Sequence, residues 1–213
     1  MLRVIDNFLD DPYSFRSAGQ KLYNETSRDN VRDDNWPGLR SSFSESLTKI
    51  YVSKAESVLG VKLDVDAESK GPHFQWVDET WISGLWHTDL EHYTILTFLN
   101  IDAPPNTGIE IGDNTLKMSN GRKCSDYINN FASVKNSFYR SSRNYYQRYR
   151  FKRELDKYND SPYFKNTCTV SNKFNRTVIF NQYQLHKAQN FFGKGKDARF
   201  TIIAFCNSPQ PLK

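Results

Sequence analysis

The stretch Leu85-Trp86-His87-Thr88-Asp89-Leu90-Glu91-His92-Tyr93-Thr94-Ile95-Leu96-Thr97-Phe98-Leu99-Asn100 decides how this chain is read. Its second half, YTILTFLN, is a short β-branched and aromatic run bounded by polar residues, the pattern of a strand buried in a sheet. Its first half places His87 and Asp89 two positions apart. In extended backbone, residues two apart point to the same side. An imidazole and a carboxylate are then aimed together from the entrance of a buried strand. A chance His-x-Asp is common, so the pair gains meaning only if other ligands are found.

Working outward, the strand character continues. KLDVDAE, HFQWVDE, TGIEIG, TVIFN and RFTIIAFC are short runs separated by turn signals, from about residue 61 to 207. Residues 1–60 differ. LRVIDNFLDDPYSFRSAGQKL reads as a strand and then a helix, with Asp10 or Asp11 as cap and Pro12 in the first turn. NETSRDNVRDDNWPGLRSSFS reads as loop. ESLTKIYVSKAESVLG has helical spacing and ends at Gly60. Many short strands behind a helical start imply a mainly β, α+β sandwich or jelly roll with helices packed outside. With 213 residues, a single domain spanning 1–213 is expected.

One segment, about 125–165, interrupts the strands. From about Ser133 to Tyr158 it is expected to be helical, and it is dense in Arg and Tyr. It reads as an insertion between two sheet strands. A basic, tyrosine-rich helix has the charge and stacking surface to grip nucleic acid. A solvated helix face is the favoured reading, because charged helix faces usually meet water.

The net charge of +5 permits an anionic partner without requiring one. No apolar run is long enough to span a membrane, and the first residues lack the form of a secretory signal. Cys124, Cys168 and Cys206 are odd in number and widely spaced, which fits neither a disulfide framework nor a zinc ribbon. A cytoplasmic, reducing setting is expected. Trp76, Trp81 and Trp86 precede the His-x-Asp pair, and at least two are read as packing residues. The GKGK run (193–196) lacks a strand–loop–helix setting and is read as a turn.

A metal centre with open positions takes two imidazoles and one carboxylate on one face. Two histidines lie outside the opening stretch. His186 closes RTVIFNQYQLH, read as a strand ending in a turn, and is the preferred third ligand. His73 follows Gly-Pro at the start of a strand and ranks lower. His92 reads as a bystander satisfied locally. Downstream, Arg199 and Thr201 open the last strand on one face, followed by Ile203 and Phe205. A buried arginine there needs an anion, since an unpaired buried charge costs several kcal/mol. The alternative is a surface arginine that is solvated or paired with Asp197 or a glutamate.

His-x-Asp, a distal His and Arg-x-Thr on the last strand, in this order, resemble the Fe(II)- and 2-oxoglutarate-dependent oxygenases. The similarity is greatest to the prolyl-hydroxylase-like branch. TFLN (97–100) and NTGIE (106–110) match the elements that follow the metal motif there. The resemblance spans roughly Lys62 to Cys206, apart from the insertion. It implies a double-stranded β-helix with Fe(II) held by His87, Asp89 and His186. It implies that Arg199, assisted by Thr201, takes the distal carboxylate of 2-oxoglutarate, and that no other catalytic residue is required. Three features depart from the pattern. The His186–Arg199 interval is long, Phe98 stands where an aromatic hydroxyl is frequent, and Thr107 replaces the first glycine of a pair. The implied partners are 2-oxoglutarate, O2 and an unidentified protein, peptide or small-molecule substrate that is hydroxylated. A nucleic-acid-modifying oxygenase and a non-catalytic jelly-roll binding module are the alternatives.

Overall fold

The computed structural model describes residues 1–26, 38–65, 71–81, 84–112, 160 and 164–209. Six strands form the larger sheet, in the order β1 (Leu2–Ile5), β7 (Thr177–Asn181), β4 (Tyr93–Phe98), β9 (Arg199–Cys206), β3 (His73–Val77), β2 (Leu39–Ser42). The smaller sheet has the order β6 (Asn166–Val170), β5 (Ile109–Gly112), β8 (Leu185–Ala188). Every strand pair is antiparallel. A bridge between His87 and His186 adds one more residue pair beside β8. The two sheets form a jelly roll, as expected from the strand pattern.

Side-chain alternation on the larger sheet separates two cores. Leu96, Phe98, Val178, Phe180, Ile203 and Phe205 face inward and meet Ile109, Ile111 and Val170 of the smaller sheet. Tyr93, Ile95, Ile179, Phe200, Ile202, Ala204 and Cys206 face the other way, in the core that includes residues of both helices. Helix α2 (Glu45–Leu59) buries Tyr51, Ala55 and Leu59 there. Ser44 caps its first turn, and Gly60 ends it at φ 75°, a left-handed conformation that favours glycine. Helix α1 (Pro12–Thr26) starts where Asp11 accepts from the Ser14 amide. Its Gly19 lets the helix come close to the sheet: a Cβ there would lie 2.4 Å from Phe200 Cζ. Tyr51 reaches through this core to Thr97 at 2.9 Å, and Thr97 to Thr177 at 2.6 Å, so the buried hydroxyls satisfy one another.

Four readings change. Leu39–Ser42, read as loop, is the edge strand β2, paired with β3. Residues 62–68, read as a strand, contribute only the bridge Asp64–Asn207 among the described residues. Strand β6 was not anticipated: four of its five residues are exposed, which removes the hydrophobic signal. His186 lies inside strand β8 rather than in a turn; the turn is at 182–184. The helix expected at 133–158 lies outside the described residues. The strands flanking that segment, β5 and β6, are antiparallel neighbours. GKGK leads into a single turn of 3-10 helix, Gly195–Asp197, with Gly193 and Gly195 at positive φ. No helix among the described residues is long and apolar enough to cross a membrane. Among them, Cys168 and Cys206 are free thiols.

Candidate metal centre

His87, Asp89 and His186 converge, their ligating atoms all within 4.8 Å of one another. The local structure explains how. His87 and His186 exchange both backbone hydrogen bonds, N to O at 3.0 and 2.9 Å, so their side chains project from the same level of the smaller sheet. Their ring centroids are 4.2 Å apart. Asp89 lies between them, with Oδ1 3.6 Å from His87 Nε2 and Oδ2 3.5 Å from His186 Nε2.

Each imidazole is oriented from behind. His87 Nδ1 lies 2.7 Å from the Leu85 carbonyl, and His186 Nδ1 lies 3.0 Å from the Gln184 carbonyl. A carbonyl accepts only, so each Nδ1 carries the proton. In its neutral form each ring then turns the lone pair of Nε2 toward the Asp89 carboxylate. Lone pairs on two nitrogens and a carboxylate facing one small space repel unless a cation sits among them. The Thr94 hydroxyl donates to Asp89 Oδ2 and fixes the carboxylate. Asp89 and His186 side chains are 5% and 7% exposed and His87 30%, so the cluster opens on the His87 side. His73 sits at the start of β3 against Ser42, and His92 contacts Ser208; neither joins the cluster.

Arg199 and Thr201 lie on the same inner face. Arg199 is 3% exposed, and its guanidinium carbon sits 5.5 and 5.7 Å from the ring centroids of Phe98 and Phe191. Its Nε donates to the Thr107 carbonyl at 3.3 Å, so the residue that replaces a glycine supplies a backbone acceptor. Its Nη2 has no partner, and neither has the buried Thr201 hydroxyl. No carboxylate among the described residues pairs with Arg199, which removes the Asp197 alternative. Burial draws its pKa down to about 10.

Comparison with solved structures gives the fold a context. The chain aligns with HygX from Streptomyces hygroscopicus, solved with nickel and 2-oxoglutarate bound. The TM-score is 0.51 and the identity 12%, over 98% of this chain and 83% of that one. It aligns with EvdMO1 at TM-score 0.52 and 14% identity, over 97% of this chain and 47% of that one. A prolyl 4-hydroxylase structure from Phytophthora capsici aligns at TM-score 0.48 and 13% identity, over 98% of this chain; the match spans 59% of that chain's length. The fold is that of the 2-oxoglutarate/Fe(II) oxygenases. No protein-family model matches the sequence, and no curated protein does.

Three contributors escaped the sequence reading. Thr94 was seen only as a strand residue, yet it holds Asp89. Asn100 was part of TFLN, yet its amide donates to the Ala198 carbonyl at 3.0 Å and accepts from the Phe200 amide at 2.8 Å. It clamps the chain on both sides of Arg199. Gln75 is the register partner of Thr201. Asn100 and Gln75 act across strands, where sequence spacing carries no signal, and Thr94 reaches back five residues to Asp89. Trp76 stacks on Phe200 in the helix-side core, a packing residue as expected. Trp86 is buried against Phe164, with the Lys187 ammonium over its ring.

Proposed function

We propose that this protein is an Fe(II)- and 2-oxoglutarate-dependent oxygenase that hydroxylates a protein, peptide or small-molecule substrate. The observation that carries the reading is the His87–Asp89–His186 cluster, two oriented imidazoles and one anchored carboxylate with ligating atoms within 4.8 Å. The donor set suits a divalent transition metal. When bound, Fe(II) supplies the redox chemistry by which O2 converts 2-oxoglutarate to succinate and carbon dioxide while a substrate C–H becomes C–OH.

The chain's own residues do the rest. His87, Asp89 and His186 hold the ion, and the Leu85 and Gln184 carbonyls keep the imidazoles aligned. Arg199 and Thr201 offer a buried cation and a free hydroxyl, a match for the distal carboxylate of 2-oxoglutarate. Phe98 and Phe191 flank the guanidinium and keep water from it. HygX, which shares the fold, binds 2-oxoglutarate and nickel, which supports the pairing of this fold with these ligands.

The test is succinate formation from 2-oxoglutarate, measured with and without added Fe(II). It should require the metal, and His87→Ala, Asp89→Ala and His186→Ala should each abolish it. Persistent turnover in these variants would remove the assignment.

A further inference from the structure

Behind the two histidines, on the outer face of the smaller sheet, runs a second row of side chains. Residues paired in register share a face, and neighbours along a strand alternate. Ile109 and Ile111 face the inner core, so Glu110 faces out, and its register partner Lys187 faces out with it. His87 and His186 are bridged on the inner side. The residue before one and the residue after the other, Trp86 and Lys187, therefore meet on the outer side. Trp86 is buried there and stacks on Phe164.

These side chains span the sheet. The Lys187 ammonium lies 5.2 Å from the centroid of the Trp86 ring and 3.2 Å from Glu110 Oε2. The Lys187 and Glu110 side chains are 18% and 19% exposed, so water screens the pair only in part. The Trp86 ring also reaches across β8 to β5: a Cβ added at Gly112 would lie 2.9 Å from its Cζ3. The segment that carries His87 is thus tied by side chains to β5, with β8 and His186 between them. Its backbone ties to β8 are few. Among the described residues they are the two bonds exchanged with His186 and one from Gly84 N to Ala188 O at 3.2 Å. His87 is also the most exposed of the three ligating residues.

We propose that Lys187 is a positioning residue for the metal centre: its ammonium, held between the Trp86 ring and the Glu110 carboxylate, fixes the His87 segment against β8 and so sets the separation of the two imidazoles. The inference rests on the reading of the cluster as a metal site. An edge segment with few backbone bonds opens at low free energy, and a metal site tolerates only about 0.5 Å of ligand displacement. A cation over an indole and a partly buried ion pair are each modest attractions. Here both act on one ammonium, at the residue next to a ligand, and restrain the ligand that has least else to hold it. Glu110 also balances the Lys187 charge, so the clasp adds no net positive charge behind a cation site.

The test measures Zn(II) affinity of the full chain by chelator competition, under conditions where urea melts show each variant to be folded. Lys187→Met keeps the aliphatic stem and removes the charge. It should weaken Zn(II) binding about tenfold, the order expected when a contact that orients a ligand is lost. The sign is diagnostic. Removing a positive charge near a cation site would by itself tighten binding, and a loss of folding stability alone would leave the affinity of the folded protein unchanged. Lys187→Arg should return the affinity to within about twofold of wild type, since a guanidinium also stacks on an aromatic face and pairs with a carboxylate. At saturating Co(II), the visible ligand-field bands should change in Lys187→Met and return in Lys187→Arg. If Lys187→Met does not fold, Lys187→Gln is read in its place with the same expectation. Zn(II) binding by Lys187→Met as tight as wild type, or tighter, overturns the proposal. So does a Lys187→Arg variant that binds as weakly as Lys187→Met. If the wild type binds no Zn(II), the reading of the centre falls and this inference with it; if the wild type binds and Lys187→Met matches it, the inference alone falls.

Discussion

Replacing Arg199 with methionine should stabilise the empty protein and abolish its response to 2-oxoglutarate. Arg199 is 3% exposed, its Nη2 has no partner, and its Nε has one long bond to Thr107. Burial lowers its pKa from the ordinary arginine range to about 10. The cost of the charge is therefore present at all pH values below about 10 and is relieved as pH rises above it. At 1.36 kcal/mol per pH unit, that difference corresponds to about 3 kcal/mol. Methionine retains an apolar stem against Phe98 and Phe191 and forfeits one hydrogen bond, worth about 1 kcal/mol. The net gain is about 2 kcal/mol, or roughly 5 °C in Tm for a chain of this size. Differential scanning fluorimetry with and without 2-oxoglutarate and Zn(II) measures both effects. The wild type should gain several degrees on loading, as ligand linkage requires, and the variant about none. A lower Tm for empty Arg199→Met would show that the charge is compensated after all. An undiminished ligand response would show that the carboxylate anchor lies elsewhere.

Other expectations follow from single contacts. Thr94→Val removes the hydroxyl that holds Asp89, so Zn(II) affinity should fall by about tenfold in a chelator competition, with Thr94→Ser restoring it. Burial pushes the Cys206 thiol up to about 12 from 9.0 and the Tyr51 hydroxyl well above its usual range. For Cys206, the stabilisation is fully present below pH 9 and is lost as pH rises toward 12. Urea melts at increasing pH should show it, with a shallower decline in Cys206→Ala. Gly19→Ala places a Cβ 2.4 Å from Phe200 and 2.9 Å from Phe74. It should destabilise by about 1–3 kcal/mol on chemical denaturation, against about 1 kcal/mol of helix propensity gained.

The parts of this fold that could be read from sequence are those whose burial has a period. Helix α2 showed its apolar positions and its glycine stop, and β4, β7 and β9 are rich in apolar residues on both faces because both faces are covered. Strands β2 and β6 could not be read, since LRSS and NTCTV owe their conformation to neighbouring strands rather than to their own composition. In the cluster, His87 and Asp89 were recognisable from alternation within one segment. His186 was named through its order in the chain, but its strand was missed because the turn at 182–184 leaves only four residues to show a pattern. Asn100 and Gln75 became visible only with the register, and Thr94 only with the path of the chain from Asp89 into β4.

Strand β9 places phenylalanine, isoleucine, alanine and cysteine against the helix-side core on one face, and Arg199 and Thr201 on the other. It is fully buried and has a partner strand on each side. Such a strand has little room to vary: a change on one face is felt on the other, and a one-residue slip would exchange arginine for phenylalanine. Arg40 has the opposite circumstances, on a four-residue strand with one neighbour and partial exposure. Substitution is therefore best tolerated at the margin of this sheet, with the interior left untouched.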